Sequence, residues 1–106
     1  VLCERGIRTF ETATRFTLDI AAVPVIHKQS LFPVCIDVSH PAGQRDLVPS
    51  LAYAAVAAGA DSLMIEVHPN PPVAKSDGPQ QLTPAQFEKL VGELRDLAAV
   101  FGKKIV

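Results

Sequence analysis

Two carboxylates and an imidazole fall where strands that read as buried come to an end. In Ser62–Gly78 the apolar run Leu63-Met64-Ile65 has strand length, carries Glu66 and His68, and then breaks into Pro69-Asn70-Pro71-Pro72. Asp77 follows in a small polar loop that ends on Gly78. A carboxylate at the end of a buried strand costs several kcal/mol unless something positive pairs with it. Metal or substrate chemistry is one answer to that cost. His40, Glu66 and Asp77 come from two consecutive connections and together make a mixed nitrogen and oxygen set. That set suits Mn²⁺, Fe²⁺, Zn²⁺ or Co²⁺ and carries too much nitrogen for a Ca²⁺ cage. The spacing is long and has no metal-finger periodicity, so a second set of roles stays open. In that set His40 caps a turn, Glu66 pairs with Arg5 or a lysine, and Asp77 forms an Asx turn.

Arg5 stands at the end of the first strand, between Glu4 and Gly6. Its guanidinium could clamp a phosphate or carboxylate in bidentate fashion, or form an internal salt bridge with Glu66. Arg15 and Arg45 are looser candidates for a second anion, Arg45 because it precedes a helix N-terminus. His27, His68 and Lys75 read as structural or solvated residues. Cys3 and Cys35, within apolar strands, read as inert core thiols. No strand-end lysine is present for a Schiff base, which disfavours a class I aldolase built from these residues.

The elements that must position these side chains alternate. Val1–Glu4 reads as a strand, Ile7 to about Leu18 as a polar loop, and Asp19–Gln29 as a helix that tolerates Pro24 only in its first turn. Phe32–Val38 is the second strand, closed by the turn cluster Ser39-His40-Pro41-Ala42-Gly43. Asp46 is the expected N-cap of a helix over Leu47–Ala58, with Pro49 in its first turn and Gly59 closing it. Ser62–Val67 is the third strand. In the last helix Thr83 caps, Pro84 stands at N1 and Gln86 at N3, and Phe87, Leu90, Val91, Leu94, Leu97, Ala98 and Phe101 recur at helical spacing before Gly102. The order is βαβαβα. All three strands are nearly continuous in apolar residues, as in parallel strands covered on both faces. A doubly wound sheet and part of a (β/α)₈ barrel both fit. Polar residues gather at the strands' C-terminal ends: Glu4 and Arg5; Asp37, Ser39 and His40; Glu66 and His68. That is the ligand face of α/β folds and favours the barrel.

With 106 residues the chain is at most one small domain. A net charge of −1 and no basic run argue against nucleic acid or an anionic membrane surface. The 48% apolar fraction argues against disorder, and no apolar run reaches the roughly 18–20 residues of a membrane span. Two cysteines without a secretory signal point to reduced thiols and a cytoplasmic setting. Opening on a strand, with open parallel edges, the chain reads as a piece of a longer polypeptide.

The runs CERGIRTFETATR, DVSHPAGQRDLVPSLAYAAVAAGADSLMIEVHPNP and AKSDGPQQLTPAQFEKLV resemble the C-terminal part of the 3-deoxy-D-arabino-heptulosonate 7-phosphate (DAHP) synthases, in order and over essentially the whole chain. The resemblance implies a (β/α)₈ TIM barrel, of which residues 1–106 supply about the last three βα units as a C-terminal segment of one barrel domain. It implies condensation of phosphoenolpyruvate with erythrose 4-phosphate and release of phosphate, the first step of the shikimate pathway. It also implies a divalent metal (Mn, Fe, Zn or Co) on His40, Glu66 and Asp77. A fourth ligand, a cysteine on the first barrel strand, lies outside this chain and is not replaced by Cys3. Arg5 matches a contact to the phosphate of phosphoenolpyruvate, and His40 also approaches that substrate as a catalytic residue. The expected partners are the remaining N-terminal barrel segment and further copies in a homo-oligomer. Phe16 stands where the family pattern has a polar Asn. The octulosonate 8-phosphate synthases, which share the ligand pattern, are the alternative within enzymes. A non-catalytic fragment that assembles with its missing half or with itself is the alternative outside them.

Overall fold

The computed structural model describes residues 1–106. Three parallel strands, β1 (Leu2–Glu4), β2 (Val34–Asp37) and β3 (Ser62–Met64), form one sheet in the order β1-β2-β3. The register pairs Cys3 with Cys35 and Glu4 with Ile36, then Ile36 with Leu63 and Asp37 with Met64. Helix α1 (Ala22–Gln29) joins β1 to β2, α2 (Ser39–Ala42) and α3 (Val48–Ala58) join β2 to β3, and α4 (Pro84–Val100) follows β3, with three short 3₁₀ turns in the connections. The parallel α/β order read from the sequence is therefore what the chain adopts. No helix is long and apolar enough to cross a membrane.

The apolar core lies between one face of β2 and the helices. Val34, Ile36 and Val38 on that face are wholly buried and join a cluster with Val48, Ala52, Ala55, Leu82, Leu90 and Leu94. Small residues on α3 let it approach α4 closely, and Tyr53 of α3 donates a hydrogen bond to Glu93 of α4. Helix α4 starts as its sequence directs: Thr83 Oγ1 accepts from the Gln86 backbone N–H, and the Gln86 side chain accepts from Thr83 N–H.

Several boundaries differ from expectation, each for a local reason. Helix α1 begins at Ala22, not Asp19, because the Asp19 N–H is drawn to Glu4 Oε1 (3.3 Å) and its carbonyl accepts from Ala22. Pro24 then sits in the first turn, where its missing N–H has no cost. Asp46 is not a cap: it lies in a 3₁₀ turn, Arg45–Leu47, that runs directly into α3. The Ser39–Gly43 cluster is a full helical turn, closed by Gly43 at φ +65°. Strand β3 stops at Met64, and pairing resumes only at a bridge between Val67 and Leu82. Burial on both faces holds for β2 alone. β1 and β3 are sheet edges, and Leu2 and Met64 are both exposed by more than 40%. Cys35 is buried as expected, but Cys3 is exposed within residues 1–106.

Candidate metal and substrate site at the strand carboxyl ends

His40 is placed by Asp37, the last residue of β2. Asp37 is wholly buried, and its Oδ1 accepts the backbone N–H groups of Ser39 and His40, both at 3.1 Å. That is the anchoring that lets a helical turn begin immediately after the strand. Its Oδ2 faces His40 Nδ1 at 2.8 Å. A carboxylate only accepts, so Nδ1 carries the proton and Nε2 presents a lone pair. Arg5 Nη1 donates to the same Oδ2 (3.1 Å), and Arg5 Nη2 donates to His40 Nε2 (3.0 Å).

Glu66 and Asp77 converge on that lone pair from the connection after β3. Glu66 Oε1 lies 3.7 Å and Asp77 Oδ2 3.6 Å from His40 Nε2. One ligand atom from each of the three residues falls within 4.8 Å of the others. Two local features aim the acids. The backbone N–H of Glu66 donates to Ser39 Oγ (2.9 Å), which ties this connection to α2. Asp77 is the one non-glycine residue with positive φ (+53°), a conformation Asp tolerates better than most residues. Its carboxylate pairs with Arg15 (2.7 Å), and its side chain makes no capping bond to the 3₁₀ turn that follows.

His40, Glu66 and Asp77, separated by up to 37 positions, are thus brought together, and Arg5 stands beside them. Neither alternative set of pairings forms. Arg5 bonds Asp37 rather than Glu66, and Glu66 bonds Gln80 (2.5 Å). Arg45 donates to the Gly78 carbonyl and steadies the Asp77 loop. His27 pairs with Asp61, and His68 accepts from the backbone of Asn70, both away from the cluster. Phe16 meets two cations, the Arg8 and Arg15 guanidiniums each lying 5.4 Å from its ring centroid. The sequence placed Asp37 among the polar strand-end residues without a partner, and it did not single out Gln80. The first carried a signal, an acid three positions before a histidine on an otherwise apolar strand. The second carried none.

Such a cluster lies at the carboxyl ends of parallel strands, the face on which α/β folds place their ligand sites, in the connections that follow the strands. The particular family follows from comparison with known proteins. The model of the DAHP synthetase I family matches residues 1–100, and the chain belongs to that family. It is 54% identical over 105 residues to the phospho-2-dehydro-3-deoxyheptonate aldolase of Thermotoga maritima, covering 99% of this chain and 31% of that protein. A 2-dehydro-3-deoxyphosphooctonate aldolase of Desulfosudis oleivorans is 42% identical over 88 residues, covering 73% of this chain and 32% of the relative. Among solved structures, a truncated 3-deoxy-D-arabino-heptulosonate 7-phosphate synthase from Thermotoga maritima superposes with a TM-score of 0.97 at 54% identity, over all of this chain and 40% of that one. The chain spans about a third of the length of the curated relatives it matches.

Proposed function

We propose that this chain is the C-terminal segment of a DAHP synthase, one (β/α)₈ barrel to which residues 1–106 contribute about the last three βα units. The observation that carries the reading is the convergence of His40 Nε2, Glu66 Oε1 and Asp77 Oδ2 at the strand carboxyl ends. The reaction joins the enol carbon of phosphoenolpyruvate to the aldehyde carbon of erythrose 4-phosphate, takes up water at the enol C–O carbon, and expels phosphate.

The donor set fits a divalent ion. One imidazole nitrogen and two carboxylate oxygens lie within 4.8 Å of one another, and none is turned toward a backbone donor; the Arg5 N–H on His40 Nε2, from a side chain 57% exposed, would have to give way to the ion. Bound there by His40, Glu66 and Asp77, such an ion (Mn, Fe, Zn or Co) would supply Lewis acidity toward an aldehyde oxygen. The remaining work falls to the chain. Asp37 keeps the His40 proton on Nδ1, so that Nε2 stays a ligand. Arg5, 57% exposed at its side chain, offers a guanidinium on the open side of His40 that matches the phosphate of phosphoenolpyruvate. An anchor of this kind holds the enol carbon in place and lowers KM.

In the full-length protein, Glu66→Ala loses bound metal, read by elemental analysis, together with synthase activity. Normal metal content and turnover in that variant would refute the ligand assignment. The 54% relative favours erythrose 4-phosphate, and the octulosonate relative makes arabinose 5-phosphate the competing substrate. Turnover with the first and not the second is the expected result. The isolated segment, which lacks the rest of the barrel, is expected to be inactive.

A further inference from the structure

We infer that Gln80 and Arg15 form a bracket that decides which oxygen of each acid is offered to a cation, acting as positioning residues for Glu66 and Asp77. The inference rests on the metal reading of His40, Glu66 and Asp77 given above. Gln80 is 2% exposed, an unusual burial for a glutamine in a surface connection. Its Nε2 donates to Glu66 Oε2 (2.5 Å), and its Oε1 accepts from Arg15 Nη1 (2.9 Å). The same Arg15 nitrogen, which carries two hydrogens, also donates to Asp77 Oδ1 (2.7 Å). The amide has only one workable orientation here. A carboxylate must face its NH₂, and a guanidinium must face its oxygen.

The two oxygens held by the bracket are Glu66 Oε2 and Asp77 Oδ1. The two left over, Glu66 Oε1 and Asp77 Oδ2, are the ones turned to His40 Nε2. Each acid thereby has one oxygen already engaged and turned toward the bracket, which favours ligation through the other over a chelating two-oxygen mode. The bracket also places a positive charge behind two carboxylates that stand close together. Arg15 is itself held in place. A Cβ built on Gly43 would come within 2.6 Å of Arg15 Cβ, so the arginine passes where only glycine leaves room, and its guanidinium lies over Phe16.

The test uses the full-length protein and Mn²⁺ as the probe, with affinity read by electron paramagnetic resonance, and Co²⁺ as a spectroscopic probe of coordination. Gln80→Met removes both bracket bonds from Gln80 at similar volume. Loss of an outer hydrogen bond to a metal-holding side chain costs about 10–100-fold in affinity. Gln80→Met is therefore expected to weaken Mn²⁺ binding by about that factor and to change the visible bands of the Co²⁺ form as Glu66 becomes free to chelate. At saturating Mn²⁺ its kcat recovers more than its metal affinity does. If Gln80→Met does not fold, Arg15→Gln, at a side chain 42% exposed, carries the same test: weaker Mn²⁺ binding and altered Co²⁺ bands, with Asp77 rather than Glu66 as the acid set free. Glu66→Ala is the control. If Glu66→Ala binds Mn²⁺ as the natural protein does, the metal reading itself fails. If Glu66→Ala loses the ion while the bracket variant keeps natural Mn²⁺ affinity and an unchanged Co²⁺ spectrum, the bracket is overturned and the metal reading stands.

Discussion

Asp37→Asn is the substitution with the most to say about the site, because it changes one atom and leaves the shape. Asp37 accepts four N–H groups: two backbone donors on Oδ1, and His40 Nδ1 and Arg5 Nη1 on Oδ2. Asparagine can keep the Oδ1 pair. Its Nδ2 then points two hydrogens at two donors. The exposed Arg5 arm contributes little to the cost, since solvent screens it. The His40 bond is buried on both sides, and a hydrogen bond to a charged group of this kind is worth about 1.5–3 kcal/mol. The imidazole's remedy is to move its proton to Nε2 and accept from the amide, but Nε2 can then no longer bind a cation. Regaining the ligating tautomer costs about the same 1.5–3 kcal/mol, which is about 10–150-fold in cation affinity. Nitrogen-detected NMR of labelled histidine in the full-length protein reads the tautomer, and a Mn²⁺ titration reads the affinity. An Asp37→Asn protein with its proton still on Nδ1 and natural Mn²⁺ affinity would refute the reasoning.

Three further outcomes concern residues other than His40, Glu66 and Asp77. The Val34 N–H, then the His27 ring, hold the Asp61 carboxyl below its ordinary range. The folded chain therefore binds fewer protons there than the unfolded one. Its contribution is whole above the unfolded value of about 3.9 and fades as pH falls through the lower folded value. Urea denaturation across acid pH should show that loss, and Asp61→Asn should flatten it. Gly43→Ala asks an L-residue to hold φ +65° and drives a methyl group to 2.6 Å from Arg15 Cβ. It should cost more than the 1–2 kcal/mol or so of the left-handed conformation alone, read as a fall in Tm. Thr83→Ala removes the capping box of α4 and should cost about 1 kcal/mol in denaturant unfolding.

Much of this arrangement is written locally. Thr83-Pro84 and Gln86 start α4 where their chemistry requires, and Gly59 ends α3 at φ +100°. The apolar runs around Val34–Asp37 and Ser62–Met64 pair in parallel because the helical connection between them carries the chain back to the end of the sheet where the first run began. The candidate site was legible as types and strand ends, since His40 and Glu66 close apolar runs and Asp77 stands in the polar loop that follows the second. The partners were not. Whether Arg5 meets Glu66 or Asp37 depends on the register of β1 against β2, which no local rule sets. Gln80 looks like any loop glutamine until the fold buries it between an acid and an arginine far apart in the chain. Asp46 had the right chemistry for a cap, but the preceding 3₁₀ turn already carries the chain into α3.

Asp77 occupies a region of backbone space that asparagine shares and alanine avoids. The usual truncation to alanine would therefore confuse two losses, a charge and a comfortable chain geometry. An exchange of carboxylate for amide removes the charge and leaves the bend of the loop undisturbed. Stereochemistry, as much as electrostatics, makes asparagine the informative replacement at this position.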